Sequence, residues 1–192
     1  LSTRRQRQMC IRDSYNGFAL ASDVNVIPIS SKIEDNFALP SIHEFEKKIN
    51  SKTKAILLCN PCNPTGYVYS QEEIINIANL AKKNDLFIVV DEVYREFIYT
   101  DTKHFSILED EKFSENAILI DSTSKRYSLC GARVGFIVSK NSEFIETCLK
   151  FALTRLSPPT LALIAANHAL NSRGDYIDCL LYTSPSPRDN RV

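Results

Sequence analysis

Excess charge, long apolar runs, methionine and cysteine are all scarce in this 192-residue chain, and each scarcity excludes something. Lys plus Arg number 23 and Asp plus Glu 23, so composition offers no attraction to nucleic acid or to an anionic membrane surface. No apolar run approaches the ~18 residues that a spanning helix needs, which reads as a soluble chain. Six cysteines are too sparse for a disulfide scaffold, and a reducing cytoplasm is the expected compartment. The remainder, 44% hydrophobic and 24% charged, is enough for one core, in a single domain or a large piece of one.

The two ends do not read as protein. Arg4 to Ser14 (RRQRQMCIRDS) and Cys179 to Asp189 (CLLYTSPSPRD) resemble translated adapter sequence from transposon-based DNA library preparation. The codons TGT CTC TTA TAC ACA encode Cys179 to Thr183, and with the next T their reverse complement reads ATG TGT ATA AGA GAC A. That translates as Met9-Cys10-Ile11-Arg12-Asp13, so inverted copies of one DNA stretch can encode both ends. Residues 1–14 and 179–192 are therefore expected to lie outside the domain, which occupies 15–178. Setting them aside leaves 17 basic and 21 acidic residues (23 less six and 23 less two), a net charge of about −4. The only methionine, Met9, also falls outside, so 15–178 reads as an interior slice of a longer protein.

Within that slice, strand and helix patterns alternate. Val24 to Ile29 is β-rich, with Pro28 marking an edge or strand end, and Leu39 to Ile49 has near-helical spacing. Ala55-Ile-Leu-Leu58 is a short apolar run, as in a strand buried on both faces. Ser70-Gln-Glu-Glu73 is a capping box, and Ile74, Ile77, Ala78 and Ala81 place one apolar stripe on a helix running to about Lys83. Leu86 to Val90 and Ala117 to Ile120 are further apolar strands, with a fourth at Val134 to Val138. Asn141 or Ser142 caps a helix with Phe144, Ile145, Cys148, Leu149 and Ala152 on one side. Ser157-Pro-Pro159 breaks it, and Thr160 to about Leu170 forms the next. The expected class is α/β: three layers, a mostly parallel sheet with helices on both faces.

Three of the apolar strands are followed at once by polar residues. Cys59-Asn-Pro-Cys-Asn-Pro-Thr-Gly66 follows the first, Asp91-Glu-Val-Tyr94 the second, and Asp121-Ser-Thr-Ser-Lys125 the third, with Arg133 eight residues further on. Open α/β sheets bind ligands outside the carboxyl ends of their strands. A lysine beside an arginine and hydroxyls suits a phosphate-bearing carbonyl compound: the amine forms an imine while Arg and Ser hold the phosphate. A carboxylate at a strand end would keep a ring nitrogen protonated, the pattern of pyridoxal phosphate used as an electron sink.

On these motifs, Asn60-Pro-Cys-Asn-Pro-Thr-Gly66, Asp91-Glu-Val-Tyr94 and Ser122-Thr-Ser-Lys125 with Arg133, the slice resembles the fold-type I, aspartate-aminotransferase-like enzymes. The resemblance covers Tyr15 to Asp178, roughly the middle two-fifths of a typical member. It implies a partial large domain, pyridoxal 5'-phosphate as cofactor, and amino-group transfer between an amino acid and a 2-oxo acid. It makes Lys125 the lysine that condenses with the cofactor and moves the proton, with burial or nearby cations lowering its basicity. Asp91 becomes the partner of the pyridine nitrogen, Tyr94 and Asn63 the pair on the ring's 3' oxygen, and Ser122 and Arg133 the phosphate ligands. Asn63-Pro64 is expected to be cis, and the parent protein a cytoplasmic homodimer. The family's other phosphate loop, its ring-stacking aromatic and its carboxylate-binding arginine would lie outside 15–178, so the chain alone is expected to be inactive or nearly so.

No metal site is expected. Cys59 and Cys62 lack a second pair at zinc spacing and read as free thiols, and His43, His104 and His168 read as surface or packing residues. Glu92 should point away from Asp91 as a structural partner, and Ser124 is read as either near the cofactor or bonded to local backbone. Lyases and synthases on the same fold, an aminotransferase-like sensor domain of a transcription regulator, and a phosphate-binding module without covalent chemistry are the rival readings.

Overall fold

The computed structural model describes residues 15–171 and 175–183. These form two compact units: one holds the described residues up to Thr53 together with Cys62–Tyr67, the other Lys54–Pro61 and everything from Val68 onward.

In the first unit, helix α1 covers residues 15–21 and α2 covers Ile42–Glu46, with Phe45 buried. The helix expected over Leu39 to Ile49 is thus shorter. It begins after Pro40 and Ser41, and the amides of Lys48 and Ile49 close back on Phe45 and Glu46 in a tightened last turn. Val24 to Ile29 is not a strand. Val24, Val26 and Ile27 are exposed and no described strand pairs with them, and a β-branched sequence makes a strand only where a neighbour offers a ladder and a surface to pack on. The Cys62–Tyr67 loop is closed by Gly66 N to Cys62 O (2.7 Å) and Cys62 N to Tyr67 O (2.8 Å). Gly66 supplies the left-handed φ of +72° that this tight loop requires. Asn63-Pro64 is cis, as expected; Asn60-Pro61, in the second unit, is cis as well.

The second unit is built on a four-stranded sheet in the order β1 (Ala55–Cys59), β2 (Phe87–Asp91), β3 (Ala117–Ser122), β4 (Gly135–Val138). The first three strands are parallel and β4 runs antiparallel to β3. Between β1 and β2, α3 spans Gln71–Lys83 behind the expected capping box: Ser70 Oγ accepts from Glu73 N (3.2 Å), and Glu73 Oε2 accepts from Ser70 N (2.8 Å). Its stripe of Ile74, Ile77, Ala78, Leu80 and Ala81 is buried, and each isoleucine so placed contributes roughly 1.5–3 kcal/mol.

Register sorts the sheet into two faces. Ile56, Leu58, Ile88, Val90, Ala117 and Leu119 pair in register on one face, and all are buried, with α3 and the 3-10 turn Ile107–Glu109 against β2 and β3. The other face carries Leu57, Phe87, Val89 and Ile118. Phe87 meets Phe144 of α5 (Ser142–Arg155) with ring centroids 5.4 Å apart, so helices lie on both faces. Cover is thinner there: Leu57 is 43% exposed, so β1 is buried on one face only and not on both as its apolar run implies. Asn141 Oδ1 caps α5 by accepting from Phe144 N (2.8 Å). No α5 residue is buried: Phe144, Ile145 and Cys148 are half-covered while Leu149 and Ala152 are open. After the break at Ser157-Pro-Pro159, α6 spans Thr160–Leu170 and α7 spans Asp175–Thr183. Helix α7 therefore runs past Asp178, and the remainder of both suspected tails lies outside the described residues.

Candidate active site

The carboxyl ends of β2 and β3 are adjacent, because the parallel ladder pairs Asp91 with Ile120. Alternation then decides which way each terminal residue faces. Asp91 and Ser122 follow the thinly covered face, while Glu92 and Asp121 follow the buried one.

Asp91 closes β2, and its Oδ1 accepts from Val93 N (3.1 Å), an Asx-type turn that fixes the carboxylate. That turn brings Tyr94 round at the same edge. Ser122 closes β3 and caps α4 (Thr123–Arg126), accepting from Ser124 N (3.1 Å). Its Oγ also shares a hydrogen bond with Ser124 Oγ (2.8 Å), so Ser124 is engaged locally. The Val134 carbonyl takes Thr123 N (3.2 Å) and Thr123 Oγ1 (3.1 Å), tying the start of α4 to the strand that follows. Lys125, on α4, is exposed, and its Nζ stands 5.5 Å from the Tyr94 ring centroid. Arg133 is exposed in the left-handed region (φ +58°), with Nη1 donating to Cys130 O (3.0 Å). Asn63 lies in the Cys62–Tyr67 loop of the other unit. The second unit thus brings Asp91, Tyr94, Ser122 and Lys125 to one sheet edge.

Behind that edge are charged groups that sequence reading did not single out as a cluster. Glu92 is fully buried, and its Oε1 accepts from Ser106 Oγ (2.9 Å) and Ile107 N (3.1 Å). Burial pushes its carboxyl up to about 7, against the pull of those two hydrogen bonds and of Arg95. His104 Nε2 sits 3.8 Å from Glu92 Oε2 and 3.3 Å from the Asn60 carbonyl; burial holds its pKa below the ordinary histidine value. Asn60 is buried too, donating its amide to Asp91 O (2.9 Å) and accepting Tyr69 N at Oδ1 (3.0 Å). Alongside, Asp121 Oδ2 accepts from Arg126 Nη2 (2.9 Å), and Arg95 Nη2 pairs with the same oxygen at 3.3 Å. His43 and His168 are exposed, and neither Cys59 nor Cys62 is in a disulfide. Among the described residues there is no group of three or more His, Cys, Asp or Glu placed to hold a metal, and no helix long and apolar enough to cross a membrane.

Strand ends that gather an acid, a phenol, hydroxyls and an amine-bearing turn define an α/β domain of the open-sheet, ligand-binding class. Residues 13–183 match the family model described as aminotransferase class I and II. An aspartate aminotransferase from Pyrococcus abyssi is 34% identical over 158 residues, which are 82% of this chain and 40% of that protein. The solved structure of an aromatic aminotransferase from Pyrococcus horikoshii OT3 matches with a TM-score of 0.73 and 32% identity, over 79% of this chain and 41% of that one. A PLP-bound structure from Clostridium difficile 630 matches with a TM-score of 0.77 over 88% and 44%; at 22% identity that likeness is one of fold. The chain belongs to the class I and II aminotransferase family, and it spans about two-fifths of the length of the relatives it matches.

Proposed function

We propose that this chain is the central part of the cofactor-binding domain of a pyridoxal 5'-phosphate-dependent aminotransferase, a protein that moves an amino group between an amino acid and a 2-oxo acid. The placement of Lys125 Nζ 5.5 Å from the Tyr94 ring, at the edge where Asp91 and Ser122 end adjacent parallel strands, carries this reading. The donor set fits the group: a primary amine open to an aldehyde, a carboxylate for a protonated ring nitrogen, and a hydroxyl and a guanidinium for a phosphate. When bound, pyridoxal phosphate supplies an electron sink for the substrate's α-carbon.

The chain's own residues do the rest. Lys125 would hold the cofactor through its amine and, when that amine is free, would carry the proton to and from the substrate's α-carbon. Asp91, whose Oδ1 accepts from Val93 N, would be the partner of the ring nitrogen. By the family resemblance Tyr94 would donate a hydrogen bond to the ring's 3' oxygen, the role it also gives Asn63, and Ser122 and Arg133 would bind the phosphate. The domain extends over 15–178, with 1–14 and 179–192 foreign to it, and the parent protein is a cytoplasmic homodimer whose remaining parts complete the site. Isolated, the chain turns over little or no substrate. Incubation with pyridoxal phosphate, borohydride reduction and peptide mapping test this: covalent label concentrated on Lys125 is expected, and label scattered over surface lysines would overturn the reading.

A further inference from the structure

Tyr94 and Lys125 share a local arrangement: each is followed at once by an arginine, and both arginines reach the same two carboxylates. Arg126 Nη2 donates to Asp121 Oδ2 at 2.9 Å, and Arg95 Nη2 lies 3.3 Å from the same oxygen. Arg126 Nε is 3.4 Å from Glu96 Oε1, and Arg95 Nε is 3.5 Å from that oxygen. The Nε of Arg126 has no hydrogen-bond alignment, so its pull on Glu96 is Coulombic. The other oxygen of Asp121 accepts from Ser122 N (2.7 Å), and Arg126 is nearly buried.

Helix α4, which carries Lys125, is a single turn of four residues. A turn of that length has no stability of its own, so its orientation is set by whatever anchors it. At its start the anchors are Ser122 and Thr123; at its end, the Arg126 side chain. Two guanidinium groups side by side repel, and here each needs both carboxylates to offset the other. Moving Arg126 therefore disturbs Arg95, and with it the turn that holds Tyr94.

We propose that Arg95, Glu96, Asp121 and Arg126 are positioning residues, a two-arginine, two-carboxylate clamp that locks the Tyr94 turn against the Lys125 turn and so fixes the amine over the phenol ring. The clamp touches neither amine nor phenol; it acts through the backbone of the next residue. This rests on the reading of Lys125 as the cofactor-binding lysine.

The test compares the full chain with Arg126→Met, Arg126→Lys and Glu96→Gln. Each is reacted with pyridoxal phosphate and borohydride, and separately with a trace of acetic anhydride in the absence of cofactor. Peptide mapping then gives the label on Lys125 relative to all other lysines. Arg126→Met is expected to lower the Lys125 share about tenfold in the cofactor reaction, as small misplacements of a reacting group do. Arg126→Lys restores only part of it, since an ammonium cannot span both carboxylates. Glu96→Gln, at a half-exposed side chain, lowers the share about threefold with an unchanged circular dichroism spectrum. The acetylation share of Lys125 shifts in all three. A clamp that only stabilised the fold would lower melting temperature and leave both shares intact in the folded protein, and that result overturns the inference. Should Arg126→Met fail to fold, Glu96→Gln decides alone. If the unaltered chain shows no preference for Lys125 with pyridoxal phosphate, the reading of Lys125 fails, while the acetylation comparison still judges the clamp.

Discussion

The two faces of the sheet meet at one edge and are used in opposite ways. On the face covered by α3 every paired aliphatic of β1, β2 and β3 is buried, and at the edge that face ends in Glu92 and Asp121, acids held out of water by partners. On the other face cover is partial, Leu57 is half open, and the edge ends in Asp91 and Ser122, polar groups presented outward. Neighbouring residues one position apart thus take unrelated jobs, because a strand alternates its side chains. Adjacent acids such as Asp91 and Glu92 are not interchangeable.

Breaking the buried face should cost most where a charge loses its partner. Asp121→Ala strands Arg126 and Arg95, and urea denaturation should show a loss of about 4 kcal/mol, whereas pairing it with Arg126→Met should recover much of that. Next in size is Ile77→Ala, which opens a cavity beneath α3 and should cost about 3 kcal/mol, against well under 1 kcal/mol for Leu57→Ala on the half-open face. If the two losses are equal, the contrast between the faces is wrong.

A pH series sharpens the comparison further. The folded state holds the Glu92 proton up to about pH 7, whereas the unfolded chain releases it near the ordinary value of 4.5. Its contribution to stability is therefore full below 4.5 and lost as pH rises to 7, a decline of roughly 3 kcal/mol that Glu92→Gln should flatten. His104 has the opposite sign. Its folded pKa is lowered, so its contribution is present above 6.5 and lost as pH falls through the folded value; in Glu92→Gln that limb should stand alone in thermal melts. Ser70→Ala removes one half of the α3 capping box and should cost about 1 kcal/mol in urea denaturation, above Leu57→Ala and below Ile77→Ala.

Much of the second unit was legible because its signals are local. Apolar runs located β1, β2 and β3, and the Ser70 to Glu73 spacing located the start of α3. Val24 to Ile29 misled because a β-rich composition says nothing about whether a partner strand is there to pair with. The stripe on α5 is real as a pattern, yet among the described residues only Phe144, Ile145 and Cys148 find partial cover. At the edge, strand ends pointed to Asp91, Tyr94, Ser122 and Lys125, and the structure gathers them; their chemical roles stay a proposal. Strand parity was enough to turn Glu92 away from Asp91. Nothing local pointed to Arg95 and Arg126, whose long side chains choose partners only once the two turns lie side by side.

Gly135, paired with Ser122 where β4 meets β3, sits in the open, yet a Cβ built on it would lie 3.2 Å from the Asp121 carbonyl oxygen. A saturation scan would score this position by its exposure as permissive and find it behaving like core. Even alanine would have to push the main chain at Asp121 aside by a few tenths of an ångström, so the smallest possible side-chain addition on the surface would be registered at the lysine-bearing turn next door.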